Sequence, residues 1–410
     1  MKRHDYMTFE SAHLDQVIAE LRMLEKLELQ RTQKSSKAAA IDFKKKDLKF
    51  VPPNIDYAPQ IPFVRHQGAY ACGMNAAAAC WDVMNELISP YSPNLSVNRM
   101  IWVWAREFRR DQVLTLLACM GQQPQSIPNT HWQTAFGVDH QGFVLCVPGL
   151  GKSYQSSAEY YADLGCPTEG TELTDSDAVK WPIAVANDEA PNYRLKLTPT
   201  PNPPGNTCWV SVKVNVNNLR YHLSARPLRA VVFNGQHFVA LIGYDDAKQR
   251  FKFINSWGDQ WYDGGYGYIE YSKLGQEVQG AEYLLIEPPK PVPTARVSFK
   301  HTRRQDVSLF LCGKQPSGAP TVKQIWPSGQ RQDDSRNLTL TVTLPVGFAW
   351  PPSASNKLYL QVFDSGANSA GGGDLVEFIA AFSGSLLVCK KLKKGAVPFS
   401  PNKLATFSLP

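Results

Sequence analysis

Apolar residues recur with helical spacing near the start of the chain, at Leu14, Val17, Ile18, Leu21, Leu24 and Leu27. Glu and Arg fill the other face, so the pattern predicts an amphipathic helix over 9–30. A polar stretch from Gln33 to Lys37 and the lysines at 44–46 then read as a linker. Pro52-Pro53 opens a new segment. An alanine-rich run predicts a buried helix at 72–88, and further helices are expected at 96–119 and 155–165. Residues 190–207 carry Pro191, Pro199, Pro201, Pro203 and Pro204 and read as an irregular surface loop. From there the pattern turns to strands, at 209–216, 228–233, 238–244, 251–255 and 265–271.

Residues 287–293, Glu-Pro-Pro-Lys-Pro-Val-Pro, read as a stiff linker. Beyond them, short strand candidates recur at 295–300, 306–312, 321–326, 337–344, 357–363 and 374–381, separated by Gly, Pro, Ser and Asn. That rhythm predicts an all-β sandwich.

A chain of 410 residues holds two or three domains and buries a core without disulfide help. With 43% apolar and 19% charged residues it has an ordinary globular balance. The net charge of +7 is mild for this length, and the basic clusters are short, so no nucleic-acid partner is expected. The cysteines at 72, 80, 119, 146, 166, 208, 312 and 389 include no C-x-x-C pair. They are read mostly as buried thiols in a reducing setting, and no metal site is expected. No apolar run approaches the ~18 residues of a membrane span, and the N-terminus lacks a signal-peptide pattern. The expectation is a chain without membrane partners, cytoplasmic or exported without a cleaved secretory signal.

Three separated segments carry candidate chemistry. Gln67 to Gly73 runs into the alanine-rich helix, with Cys72 at its start. His237 opens the strand segment His-Phe-Val-Ala-Leu-Ile-Gly-Tyr, and Asn255 opens Asn-Ser-Trp-Gly. A free thiol is mostly protonated at neutral pH; a helix N-terminus and a nearby imidazolium both favour the thiolate. The imidazole in turn needs a third group to hold one tautomer and orientation. His237 and Asn255, at the edges of adjacent predicted strands, suit base and orienter. Gln67 is placed to donate to an oxyanion alongside the Cys72 backbone N–H.

These segments resemble the papain family of cysteine peptidases in their order and wording: Gln67, Cys72, then His237 within QHFVALIGYDD, Asn255 within INSWGDQW, and GGYGYIEY. The resemblance covers about 51–287 and includes SSAEYYADLGCPTEG from 156 and the acidic Asp82 down the helix. It implies an α+β fold with a helical lobe and a β-rich lobe. It also implies a cysteine endopeptidase acting on protein or peptide substrates through an acyl-enzyme, with Cys72 as nucleophile, His237 as base, Asn255 as orienter and Gln67 at the oxyanion. Gly73 and Trp257 are the candidate substrate-binding residues, Trp257 also shielding the His–Asn hydrogen bond. No cofactor is needed. The spacing from Gln67 to Cys72 is one residue shorter than the family's, and Gly73 stands where Trp is usual. Two readings stay open: a one-residue deletion with Cys72 still attacking, or a binding protein that has lost its nucleophile. An acyl-transferring enzyme is a further alternative.

The expected organisation is therefore an N-terminal helical arm at 1–50, propeptide-like in position; the peptidase domain at 51–287; the linker at 288–294; and a β-sandwich domain at 295–410. The arm either occludes the cleft or simply stabilises. The C-terminal segments SFKHTRRQDVSLFLCGKQPSG and LYLQVFDSGANSAGGGDLVEFIAAF resemble the P domain of proprotein convertases. That implies a module aiding stability or binding a protein or glycan target; a generic β-sandwich binding module is the alternative.

Overall fold

A computed structural model describes residues 51–61, 63–65, 72–95, 193–201, 204–235, 237–301, 303–326, 338–345, 347–366, 372–384, 388–392, 397–401 and 403–409. The helices expected at 9–30, 96–119 and 155–165 lie outside them. Among the described residues the chain is mostly antiparallel β-sheet with few helices.

The N-terminal part contains strand β1 (Asn54–Asp56), helix α1 (Cys72–Ile88), the strand pair β2 (Thr198–Pro201) and β3 (Pro204–Thr207), and β4 (Trp209–Val212). Helix α2 (Val216–Leu223) follows, then β5 (Leu228–Val232), β6 (His237–Asp245), β7 (Arg250–Ile254), β8 (Tyr266–Glu270), the single turn α3 (Leu274–Glu277) and β9 (Gly280–Leu284). Strands β4-β9-β5-β6-β7-β8 form one antiparallel sheet. β5 covers the first half of one β6 edge, and β1 takes over at Gly243–Asp245.

Alternation along β6 decides what packs where. Phe238, Ala240 and Ile242 face α1, which presents Cys72, Ala76, Ala79, Cys80 and Val83 along one helical stripe. Small residues on that stripe let helix and sheet approach closely; a Cβ on Gly73 would sit 3.3 Å from Phe238 Cδ2. Val239 and Leu241 belong to a second cluster with Leu219 and Leu223 of α2 and Phe251 and Phe253 of β7. β6 is thus buried on both faces, which is why its sequence is a near-continuous apolar run.

The C-terminal part is built from β10 (Pro293–Lys300), β11 (Val307–Lys314), β12 (Pro320–Trp326), β13 (Leu338–Thr343), β14 (Leu358–Asp364), β15 (Gly373–Phe382), β16 (Val388–Lys391), β17 (Val397–Phe399) and β18 (Leu404–Leu409). One sheet runs β13-β10-β15-β16 with β17 also on β15; the other runs β12-β11-β14-β18. Inward residues of both, such as Val297 and Phe378 against Leu309 and Leu360, share one core. Phe63 from the N-terminal part is buried in that same core.

Three expectations need correction. The segment read as irregular at 190–207 contains the β2–β3 hairpin, with Thr198 opposite Thr207. An isolated two-stranded ladder leaves each strand one free edge, where proline's missing N–H costs nothing. The strand expected to Val216 ends at Val212, and α2 begins at Val216. The linker expected to 294 gives way to β10 at Pro293.

Candidate active site

His237 is the first residue of β6, and Asn255 directly follows the last residue of β7. The two strands are antiparallel neighbours with Ala240 opposite Ile254, so both residues lie at one end of the sheet. His237 Nε2 and Asn255 Oδ1 are 2.8 Å apart. The same oxygen accepts the Ser256 backbone N–H at 2.8 Å. A backbone N–H only donates, so the atom it meets is the amide oxygen. That oxygen in turn needs a donor from the ring, so neutral His237 carries its proton on Nε2 and its lone pair on Nδ1. This is the form in which an imidazole accepts a proton.

His237 is 6% exposed and Asn255 1% exposed. Burial pushes the His237 imidazole below its ordinary value, while the Asn255 hydrogen bond pulls it back up. Trp257 tilts over the ring with centroids 4.8 Å apart, and Phe233 stacks on it at 5.7 Å. These two aromatics also stack on each other and remain partly exposed, forming a roof over the imidazole. Phe233 holds a left-handed backbone, φ 53°, in the β5–β6 turn. A bulky side chain in that region costs on the order of 1–3 kcal/mol and is retained where surrounding contacts fix it.

Cys72 occupies the first position of α1. Its Sγ accepts the Phe238 backbone N–H at 3.4 Å, which places the sulfur beside the residue that follows His237. The thiol packs with Ala76, Val231 and Phe238 and is 1% exposed. Gly73 is buried against Phe238. Gln67 lies outside the described residues. Asp82 is buried and accepts the Arg65 guanidinium at 2.6 Å and the Leu95 N–H at 2.9 Å.

The structure therefore brings His237, Asn255 and Trp257 together and sets Cys72 against the same strand. Among the described residues, no group of three or more His, Cys, Asp or Glu is arranged to hold a metal ion, and no helix is long and apolar enough to cross a membrane. Sequence reasoning missed three participants. Ser256 and Phe238 act through backbone N–H groups, which any residue supplies, so their side chains carry no signal. Phe233 lies just ahead of the Asn234-Gly235 turn pair, which does mark the turn but not the aromatic beside it.

No family model matches the chain, and neither does any curated protein. Similar solved structures include xylellain, a cysteine protease from Xylella fastidiosa, at 17% identity and TM-score 0.38, covering 61% of this chain and 91% of that one. A structure concerned with the mite allergens Blo t 1 and Der p 1 aligns at 15% identity and TM-score 0.40, covering 61% and 76%. The proform of the ragweed pollen allergen Amb a 11, a cysteine protease, aligns at 12% identity and TM-score 0.36, covering 62% and 73%. With TM-scores this low, the functional reading falls to the chain's own residues.

Proposed function

We propose that the chain is a papain-like cysteine endopeptidase. The observation that carries this is the 2.8 Å His237–Asn255 hydrogen bond, whose polarity Ser256 fixes so that Nδ1 is the proton-accepting atom. Cys72, at a helix start on the neighbouring element, is the nucleophile. Its sulfur attacks a peptide carbonyl, His237 takes the thiol proton and returns it to the leaving amine, and water then cleaves the acyl-enzyme. Asn255 orients the imidazole, Trp257 keeps water from the His–Asn bond, and the role assigned to Gln67 with the Cys72 N–H is to stabilise the oxyanion. The two C-terminal sheets form a sandwich domain of P-domain type that serves the peptidase rather than the chemistry.

The test is hydrolysis of fluorescein-labelled casein by the full chain under reducing conditions, together with labelling by a peptidyl vinyl sulfone. Hydrolysis that Cys72→Ala abolishes, with the label on Cys72, is the expected result. Absence of both in folded protein overturns the reading.

A second reading is supported by the 1% exposure of Cys72. A thiol this covered suits a binding protein that keeps the fold without the reaction. It expects Cys72 to resist iodoacetamide in the native state while the half-buried Cys312 reacts.

A further inference from the structure

Arg304 reaches from the C-terminal sheets to the loop that begins at Asn255. Its Nη2 donates to Asp259 Oδ2 at 3.3 Å, and the two side chains are only 4% and 5% exposed. The Arg304 carbonyl accepts the Trp326 indole N–H at 3.2 Å, and Trp326 belongs to the C-terminal core. The loop is gripped again one residue earlier, where the Gly258 N–H donates to the Arg65 carbonyl at 3.0 Å. Phe63, close before Arg65, is itself buried in that core.

The same sheets hold the helix that begins at Cys72. Arg296 of β10 donates to Glu86 of α1 at 2.8 Å. Past the end of α1, Asn94 pairs with the backbone of Thr341 in β13, through its N–H at 3.0 Å and its Oδ1 at 3.2 Å. The helix that begins at Cys72 and the loop that begins at Asn255 are thus both fastened to the C-terminal sheets.

We propose that Arg304 and Asp259 are positioning residues: by locking the loop to the C-terminal sheets, they set where Asn255 holds the His237 ring relative to Cys72. The consequence for turnover rests on the peptidase reading above; the consequence for the ring itself does not. An exposed ion pair contributes little, but removing one partner of a buried pair leaves a stranded charge that the loop relieves by moving. A shift of about 1 Å in a catalytic group can lower turnover by about 10².

The experiment compares the full chain with Arg304→Gln and Arg304→Lys, reading casein kinetics and the ¹⁵N NMR titration of the His237 imidazole. Arg304→Gln is expected to lower kcat at least about tenfold with KM within about twofold, and to shift the His237 titration. Arg304→Lys, which keeps the charge without the planar fork, should recover part of both. A folded Arg304→Gln protein with wild-type kcat and wild-type titration overturns the proposal. Should Arg304→Gln not fold, Arg304→Lys decides: a partial loss of kcat supports positioning, and wild-type values overturn it. If the wild-type chain cleaves nothing, the peptidase reading fails, while an unchanged His237 titration in the folded variant would still sink the positioning role on its own.

Discussion

The Asn255 side-chain oxygen lies 2.8 Å from His237 Nε2 and is shared with the N–H of the very next residue, Ser256. A side chain pinned to its own neighbour's backbone has little freedom to flip. The imidazole therefore inherits its tautomer from the local conformation after β7.

The first expectation concerns that tautomer. At neutral pH, NMR should find the His237 proton on Nε2, with a titration midpoint below the ordinary 6.5. Asn255→Ala removes the one interaction that raises the midpoint and leaves burial unopposed, so the midpoint should fall further. Casein turnover should drop by about 10–10² as the ring loses its orientation. A midpoint that rises in Asn255→Ala would contradict this account.

Trp257 gives a separate prediction. Replacing it with Ala removes the ring that tilts over His237 and opens the His–Asn bond to water. Water competes for the same donor and acceptor, so a net interaction of about 1 kcal/mol is at stake. Turnover should fall roughly fivefold to tenfold, with thermal stability nearly unchanged. Trp257→Phe should retain most of the activity.

A third expectation lies in stability. Arg65 and Asp82 are both buried and joined at 2.6 Å. Arg65→Ala removes the cation beside a buried carboxylate that keeps the Leu95 N–H, a loss of about 3–5 kcal/mol. Urea unfolding should record it. Lys at the same position should lose less, because the charge survives.

Acid should weaken the fold through His222. Burial first, and the Arg226 guanidinium second, hold its imidazole down at about 4. The unfolded chain binds that proton near 6.5, so it takes up more protons than the native state between the two values. Stability is therefore full above about 6.5 and is lost as pH falls towards about 4. In His222→Asn, the fall in urea midpoint across that window should be shallower.

Gly243→Ala tests the sheet. A Cβ there would collide with the Ile55 carbonyl oxygen in β1, and backbone cannot step aside as a flexible side chain can. β1 should detach from β6, seen as fast hydrogen exchange at Tyr57, whose N–H donates to the Ile242 carbonyl.

Much of this was readable from local pattern. The helix at 72–88 coincides with α1, because alanines with Cys80 and Val83 give a helical stripe. The strand candidates at 321–326 and 357–363 fall on β12 and β14, where alternation marks one buried face. Helix α2 escaped because Trp209-Val-Ser-Val reads as a strand whose apolar alternation continues through Val214 and Val216. Its signal was Asn215, an N-cap whose side chain accepts the Asn218 N–H at 2.9 Å, followed by Val216, Leu219 and Leu223. The pairs Arg304–Asp259 and Arg65–Asp82 were illegible for a different reason. Charged residues far apart in sequence carry no mark of their partner until the chain has folded.

One strand pairing bears on synthesis. β6, which His237 opens, borrows part of its edge from residues 54–56, and Phe63 waits for a core whose strands begin at Pro293. In a chain still emerging from the ribosome, residues 54–56 wait for β6, and Phe63 waits longer, for the C-terminal strands. The N-terminal part therefore completes its packing at Phe63 only once the C-terminal strands have been made.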